Sequence, residues 1–209
     1  LMISLFLDTS SSYLTLAILK DGKELKSLYE YLDKDMSKET LNKIKIMMDS
    51  LNLKPNDVSN IIVVTGPGSY TGLRVGVTIA KTYAWGLHKN LYSVSSLKTL
   101  ATTISLENTY IVPIIDARRG YFFAGIYDEE YNEVLKDTYI KYEDLKEKLD
   151  TLNKPYKFVT TSKVEGIESI IYKPNIENLF KHMKFDEVSP HTLVPNYLKK
   201  TEAEENLKK

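Results

Sequence analysis

The sequence predicts an α/β protein made of two duplicated lobes, each built around a mixed sheet. Short apolar strands come first, and helical and strand patterns then alternate along the chain, which is typical of α/β architecture. Two segments also match each other without a gap at an offset of 108 residues, which places Asp8 on Asp116 and Tyr13 on Tyr121. Each segment has the pattern of a strand, a turn containing the aspartate, and a second strand. The repeat therefore predicts two similar lobes within the 209 residues.

The first lobe is predicted to cover residues 1–104. After the hairpin that contains Asp8, Asp21 and Gly22 have the chemistry of a tight turn into a third strand. Ser37 is predicted to cap the first helix. The remaining predicted elements of this lobe are strands at 2–7, 25–31, 61–64 and 91–94 and helices at 38–51, 73–87 and 97–104.

The second, smaller lobe is predicted to cover residues 105–195, and a C-terminal tail follows at 196–209. The same patterns predict strands at 111–115, 121–127, 134–140 and near 157–160 and helices at 142–149 and 176–183. From Pro190 onward the chain is charged and contains prolines, so we expect the end of the tail, 201–209, to fray.

A glycine-rich motif, GPGSYTGLRVG, joins the strand at 61–64 to the helix at 73–87. Its spacing does not match a P-loop, and no acidic residue follows the strand at 91–94 as a dinucleotide site requires. The favoured interpretation is a structural turn, in which Gly72 and Gly76 let the helix approach a neighbouring backbone. A phosphate cradle at the start of the helix is the alternative. The residues assigned to this motif are Gly66, Gly68, Ser69, Gly72, Arg74 and Gly76.

Composition excludes several classes of function. The 28 basic and 28 acidic residues balance, and only three of the basic residues are arginines, which disfavours an autonomous nucleic-acid binder. Cysteine is absent, so disulfides, cysteine nucleophiles and thiolate metal sites are excluded. No apolar run is long enough to span a bilayer, and Asp8 interrupts the apolar start, so we expect a cytoplasmic protein without a membrane partner.

The chain offers no recognisable catalytic or metal-binding set. His88, His182 and His191 are not spaced as a helical metal pair, and no serine lies in a nucleophile-elbow motif. Asp8 and Asp116 could hold a metal ion or a phosphate between the lobes, or each could cap its own turn. We therefore predict no catalytic residue and no metal ligand.

Two helices of the first lobe indicate a surface for a partner. The helix at 73–87 has an apolar arc of roughly 200°, wider than the ~100° that one core face needs. In the helix at 38–51, Leu41, Ile44, Met47, Met48 and Leu51 share one face, and Ile46 lies alone on the opposite face. Trp85 is an interface-type residue, although it could also fold back onto its own lobe. The residues assigned to partner binding are Lys43, Ile46, Met47, Thr78, Lys81 and Trp85.

Several motifs together resemble the bacterial TsaB (YeaZ) family. They are LDTS near the start, GPGSYTGLRVG, VSSLKTLA from Val94, DARRGYFFAGIYD in the middle of the chain, and PNYLK near the end. The resemblance implies an actin-like, sugar-kinase-like (ASKHA) ATPase fold. It also implies a non-catalytic subunit of the complex that forms threonylcarbamoyladenosine beside the anticodon of tRNAs that read codons starting with A.

The resemblance further implies the partners of the chain. They are a homologous, metal-binding TsaD-like subunit that transfers the threonylcarbamoyl group, a small TsaE-like ATPase, and a second copy of the chain when TsaD is absent, with pairing through first-lobe helices. ATP and metal are then expected on the partner subunits and not on this chain, and tRNA is reached through the complex.

Two other functions stay open at this point. One is an actin-like small-molecule kinase or ATPase, although Thr9 and Ser10 replace the glycine-containing DxGxT turn of such enzymes. The other is a TsaD-like metallopeptidase, although the histidines lack the HxxxH spacing of that branch.

Overall fold

The computed structural model describes residues 2–199, which form two β-sheets with helices. The first half of the chain contains β1 (Ile3–Asp8), β2 (Tyr13–Lys20), β3 (Lys23–Tyr31), α1 (Met36–Ser50), β4 (Val58–Gly66), α2 (Tyr70–Leu87), β5 (Asn90–Ser95) and α3 (Ser96–Ala101). The second half contains β6 (Tyr110–Asp116), β7 (Tyr121–Tyr127), β8 (Glu133–Lys141), α4 (Tyr142–Leu152), β9 (Tyr156–Thr160), β10 (Ser169–Ile171), α5 (Ile176–His182) and β11 (Asp186–Glu187).

The two sheets have the same connectivity. The first has the strand order β3-β2-β1-β4-β5, with β11 added at the edge, and the second has the order β8-β7-β6-β9-β10. In each sheet the first three strands form antiparallel pairs, and the first strand also pairs in parallel with the fourth. Asp8 ends β1 and Asp116 ends β6, so the offset found in the sequence relates equivalent strands. The prediction of an α/β protein with two duplicated lobes and mixed sheets is confirmed.

Strand alternation distributes the apolar side chains among three cores. Leu5 and Leu7 of β1 face α1 and α2, whereas Phe6 points to the opposite side of the sheet. That opposite side belongs to a central core that contains residues of both sheets, α3 and α5. A third core joins the remaining face of the second sheet to α4. The lobes are therefore packed against each other through a shared apolar layer.

Some predicted boundaries and elements were wrong. Ser37 lies in the first turn of α1, while Asp35 occupies the N-cap position without a side-chain hydrogen bond. α2 begins at Tyr70, one turn earlier than predicted, because Ser69 caps it through a hydrogen bond from the Gly72 N–H to its hydroxyl at 3.2 Å. α3 ends at Ala101. β10 and β11, which are three and two residues long, were not predicted from the sequence.

The C-terminal segment returns to the first sheet. β11 pairs antiparallel with β5, and Leu193 is buried in the core beneath α1 and α2. Farther on, the Asn196 N–H donates to the Thr65 carbonyl at 2.7 Å. Residues 186–195 were assigned to the second lobe by sequence, and these contacts place them against the first. Of the predicted tail, residues 200–209 lie outside the described part of the chain.

Within residues 2–199, no helix combines the length and the apolar character needed to cross a membrane.

Candidate functional site

The glycine turn lies between β4 and the start of α2. Gly66, at the end of β4, has a positive φ of 123°, and Ser69 caps the helix that follows. The Ser69 N–H donates to the carbonyl of Ser10 at 2.7 Å, which ties this turn to the turn between β1 and β2. Because the Ser69 hydroxyl accepts the Gly72 N–H, two of the amides near the helix start already have protein partners.

Glycine is required in this motif by direct contact with Thr9 and Ser10. A Cβ at Gly72 would lie less than 3.0 Å from the Thr9 carbonyl oxygen, and one at Gly76 equally close to the Thr9 hydroxyl. A Cβ at Gly68 would overlap the Ser10 carbonyl in the same way. The Thr9 hydroxyl in turn donates to the Gly72 carbonyl at 2.7 Å. The β1–β2 turn thus packs directly on the glycine turn at Thr9 and Ser10. A cavity of about 310 Å³ lies beside this contact, and its lining includes Ser11, Ser12, Ser69 and Thr71.

The two duplicated aspartates perform the same local task. The Asp8 carboxylate accepts the N–H of Ser10 at 2.8 Å, and the Asp116 carboxylate accepts the N–H of Arg118 at 2.7 Å. Each therefore closes its own turn, which is a common use of aspartate. Among residues 2–199 no group of three histidine, cysteine or acidic residues is arranged to hold a metal ion.

Asp8 differs from Asp116 in burial. Its side chain is only 5% exposed, and burial raises the pKa of its carboxyl above the ordinary value, although the hydrogen bonds with Ser10 oppose that shift. Tyr172 is buried nearby, where burial and the charge of Asp8 raise the pKa of its phenol. Asp116 is exposed. Ionising the aspartate of this turn therefore costs more free energy in the first lobe than in the second.

Replacing Asp8 with asparagine should stabilise the chain at neutral pH. Because the folded pKa is raised, the folded chain binds this proton more tightly than the unfolded chain, whose aspartate pKa is about 4. Stability should therefore fall in the native protein as pH rises from about 4 through the folded pKa. Asp8→Asn keeps an acceptor for the Ser10 N–H and removes that dependence. Urea unfolding at pH 4 and pH 7 measures the difference.

The control for this prediction is Asp116→Asn, which changes the equivalent turn at an exposed site. Its effect should be nearly the same at both pH values. An Asp8→Asn variant that is less stable than the native chain at pH 7 would show that the carboxylate itself is needed.

A partly buried carboxylate, Asp137, joins the lobes. Asp137 on β8 accepts hydrogen bonds from the hydroxyl of Ser95, at the start of α3, and from Tyr127 on β7 at 2.6 Å. Burial raises the pKa of Asp137, and the two hydrogen bonds oppose that rise. Beside this network, Lys98 pairs with Glu133 across the lobes at 2.9 Å, and both line a cavity of about 440 Å³. These contacts fix the relative position of the lobes.

Three of the six residues assigned to partner binding are engaged within the chain. Met47 is buried, with 4% of its side chain exposed, so it belongs to the core and not to a docking surface. Lys43 pairs with Glu30 of β3 at 2.8 Å. The Lys81 ammonium group donates to the Leu193 carbonyl at 2.9 Å, and so holds the C-terminal segment against α2.

Ile46, Thr78 and Trp85 are exposed but do not form one patch. Trp85 is 62% exposed, so it does not fold back onto its own lobe. It lies one turn after Lys81, on the ridge of α2 that borders the C-terminal segment. Ile46 is two positions before Met48, whose sulfur accepts the Tyr83 hydroxyl of α2 at 3.8 Å. Two positions rotate a helix by about 200°, so Ile46 faces away from α2.

The helical pattern of α1 put Leu41 on one face with Ile44 and Met47, but Leu41 is not buried as they are. Leu41 is 58% exposed, and it adds an apolar side chain to the outer surface of the helix. Tyr70 was not considered, although it is 46% exposed at the start of α2. Its position inside the glycine motif was the available signal, since a large aromatic residue between glycines rarely serves the turn itself.

Comparison with known proteins gives consistent matches. A family model described as "TsaD: tRNA N6-adenosine threonylcarbamoyltransferase" matches residues 30–161. The tRNA threonylcarbamoyladenosine biosynthesis protein TsaB of Bacillus subtilis is 33% identical, over 97% of this chain and 96% of that protein. The protein of the same name from Escherichia coli is 26% identical, over 62% of this chain and 57% of its own length.

Solved structures support the fold. A protein from Pseudomonas aeruginosa, described as having similarity to peptidase YEAZ, superposes with a TM-score of 0.79 at 21% identity, covering 95% of this chain and all of that one. A second structure, titled YeaZ from the same organism, gives a TM-score of 0.69 at 20% identity, over 93% and 100% of the two chains. At these identities the structures show a shared α/β fold. Together with the near full-length match in sequence, they show that this chain belongs to the TsaB (YeaZ) family.

Proposed function

We propose that this chain is a non-catalytic subunit of the complex that forms threonylcarbamoyladenosine in tRNA, and that it supports a TsaD-type transferase. The observation that carries this proposal is the match to a TsaB protein over 97% of the chain. The family model for the transferase itself also matches residues 30–161, so the chain and its proposed partner are homologous. Homologous subunits often pair through equivalent surfaces.

The geometry supports a structural use of the actin-like fold. The β1–β2 turn and the glycine turn are in contact through Thr9, Ser10 and the motif glycines. Asp8 and Asp116 both close their own turns and are not free to act together. The phosphate-cradle interpretation of the glycine motif is therefore the weaker one, and we assign Gly66, Gly68, Gly72 and Gly76 to packing.

The complex would supply what this chain does not. We propose that ATP and metal bind to the TsaD-like and TsaE-like subunits, that tRNA is recruited through the assembly, and that the complex works in the cytoplasm. In the absence of its partner the chain would pair with a second copy of itself, because the docking surfaces of homologous subunits are related. The exposed ridge of α2 at Thr78 and Trp85 is the surface that we assign to this contact.

A small-molecule kinase and a metallopeptidase are not favoured. The two curated relatives described above are named for threonylcarbamoyladenosine biosynthesis, and neither is named a kinase. The histidines of the chain lack the HxxxH spacing of the metallopeptidase branch. Tight Mg-ATP binding by the isolated chain, measured by calorimetry, would favour the kinase.

Reconstitution tests the proposal directly. The purified chain, incubated with unmodified tRNA, threonine, bicarbonate, ATP and the enzyme that makes threonylcarbamoyl-AMP, should leave the tRNA unmodified. Adding the TsaD-type and TsaE-type subunits from the same organism should produce threonylcarbamoyladenosine, measured by mass spectrometry of tRNA nucleosides. Omitting this chain from the full mixture should abolish the product. Modified tRNA formed by this chain without the TsaD-type subunit would contradict the non-catalytic assignment.

Trp85→Ala should weaken binding of the TsaD-type subunit. Truncation of a tryptophan at the centre of an interface can cost roughly 2 kcal/mol, which is about 30-fold in the dissociation constant. Because Ile46 faces away from α2, we expect Ile46→Asp alone to have a much smaller effect. Ile171→Ala is the matched control, since Ile171 is also an exposed apolar residue but lies in the second sheet. Titration calorimetry with the TsaD-type subunit measures all three, and equal affinities would place the interface elsewhere.

A further inference from the structure

The structure contains a band of tyrosines and cations that the subunit function does not explain. We define the aromatic band as Tyr70, Tyr197, Tyr139 and Tyr121. Tyr70 at the start of α2 stacks on Tyr197 of the C-terminal segment, with ring centroids 4.9 Å apart and the planes 25° apart. The Arg74 guanidinium lies over the Tyr70 ring, 4.5 Å from its centroid. This end of the band belongs to the first lobe.

The band continues onto the second lobe. Two residues after Tyr197, the Lys199 ammonium group lies 5.1 Å from the centroid of the Tyr139 ring on β8. Tyr139 stacks on Tyr121 of β7, with centroids 4.7 Å apart and planes within 6° of parallel. The Lys141 ammonium group lies 5.7 Å from the Tyr121 centroid. Aromatic rings and cations thus alternate from α2, across the C-terminal segment, to the edge of the second sheet.

A turn with two arginines closes the second-lobe end of the band. Arg118 and Arg119 are exposed, and both have positive φ values, 68° and 56°. The Tyr121 N–H donates to the Arg118 carbonyl at 3.1 Å, so the turn leads directly into the band. Non-glycine residues rarely occupy this backbone region, and two consecutive arginines here carry a cost in stability.

Local charge along the band departs from the neutral balance of the whole chain. All three arginines of the sequence, Arg74, Arg118 and Arg119, lie in it or at its end, and Lys141 and Lys199 add two more cations. Within residues 2–199 none of these five forms an ion pair with a carboxylate. Five cations that pair with no carboxylate among residues 2–199, around partly exposed rings, make an anionic surface with flat groups the best complement.

We infer that the aromatic band binds an unpaired segment of RNA. Bases of a single strand can stack on exposed tyrosine rings, and cations beside those rings can meet the phosphates. A base that stacks on Tyr121 would displace the flexible Lys141 ammonium group, which could then contact a neighbouring phosphate. This exchange is favourable because base–aromatic stacking is stronger than an exposed cation–π contact. An acidic peptide would satisfy the cations but not the rings. The choice of RNA rests on the proposed function.

The test is fluorescence anisotropy with a labelled, unstructured RNA of about a dozen nucleotides, a length within the range that such sites cover. The full chain should bind this RNA at low salt and bind the duplex of the same sequence more weakly. Arg118→Asn combined with Arg119→Asn removes both charges and keeps residues that tolerate positive φ. This variant should make the negative slope of log affinity against log salt concentration shallower by about 1.4. Each phosphate that the protein no longer neutralises contributes about 0.7 to that change.

Tyr121 separates stacking from charge. Tyr121→Leu should weaken RNA binding about tenfold, and Tyr121→Phe should retain it, because phenylalanine keeps the ring face. The matched control for charge is Lys38→Asn combined with Lys148→Asn, which removes two exposed cations from α1 and α4. The control should bind RNA as the native chain does. Melting curves establish that each variant is folded.

Several outcomes would overturn the inference: equal loss of binding in the lysine control, unchanged binding by Tyr121→Leu, or equal affinity for duplex and single strand. Band variants that no longer bind the TsaD-type subunit but still bind RNA would assign the band to protein contact. Co-purification of the native chain with that subunit is measured in parallel. If the native chain does not co-purify with the TsaD-type subunit but still binds RNA through the band, the result would count against the proposed function and support the RNA site.

Discussion

Gly72→Ala should destabilise the chain by about 1–3 kcal/mol, the usual cost of forcing atoms into a filled site. The added Cβ would overlap the carbonyl oxygen of Thr9, which is backbone and cannot rotate away. The Thr9 hydroxyl also donates to the Gly72 carbonyl at 2.7 Å, so moving the turn would break this hydrogen bond. Urea unfolding followed by circular dichroism measures the change.

Gly86→Ala is the matched control for Gly72→Ala. Both glycines lie in α2, but an added Cβ at Gly86 would meet nothing within 4 Å. Alanine has the higher helix propensity, so this variant should be more stable by up to about 1 kcal/mol. The two expected changes in stability have opposite signs, which separates the effect of packing from the effect of helix propensity. A Gly72→Ala chain of native stability that had lost nucleotide binding would instead support the phosphate-cradle interpretation.

The duplication could be predicted because it is visible in the local sequence pattern of the two segments. Strand alternation and turn chemistry are short-range properties, and they recur at Asp8 and Asp116 with the same spacing. The structure extends the repeat to side-chain packing. Tyr13 stacks on Tyr29 with centroids 4.6 Å apart, and Tyr121 stacks on Tyr139 at 4.7 Å. The sequence aligned Tyr13 with Tyr121 but could not give their stacking partners, which depend on strand register.

The candidate partner surface was predicted less well, for a physical reason. Helical periodicity tells which side chains share a face, but it does not tell what the rest of the chain places against that face. Met47 was correctly grouped with apolar neighbours and is buried with them. Lys81 contacts Leu193, which is 112 residues away in sequence, and no local pattern encodes that contact. Trp85 is 62% exposed, and helical periodicity alone could not tell whether it would pack back onto its own lobe.

The path of the C-terminal segment was missed because its ordered contacts are short and mostly made by backbone. β11 has two residues, too few to show alternation. The Val188 N–H donates to the Leu91 carbonyl at 2.9 Å, and such a bond is available to almost any residue. Leu193 is the buried apolar side chain that anchors the segment to the first core, and the partly buried Val188 packs against the same core. Its neighbours are polar, proline or exposed, so composition alone suggested a solvated tail.

Leu193→Ala should destabilise the chain by about 2–5 kcal/mol, as expected for a leucine removed from a packed core. Only 7% of Leu193 is exposed, and its backbone carbonyl accepts the Lys81 ammonium group, so loss of the side chain should also loosen the segment beside α2. Val194→Ala is the matched control, because Val194 is 68% exposed and should change stability by less than about 0.5 kcal/mol. Urea unfolding measures both variants, and hydrogen exchange at the amides of Val188 and Asn196, which donate to Leu91 and Thr65, should rise in Leu193→Ala alone. Equal effects of the two substitutions would mean that backbone pairing, and not the buried leucine, holds the segment to the first lobe.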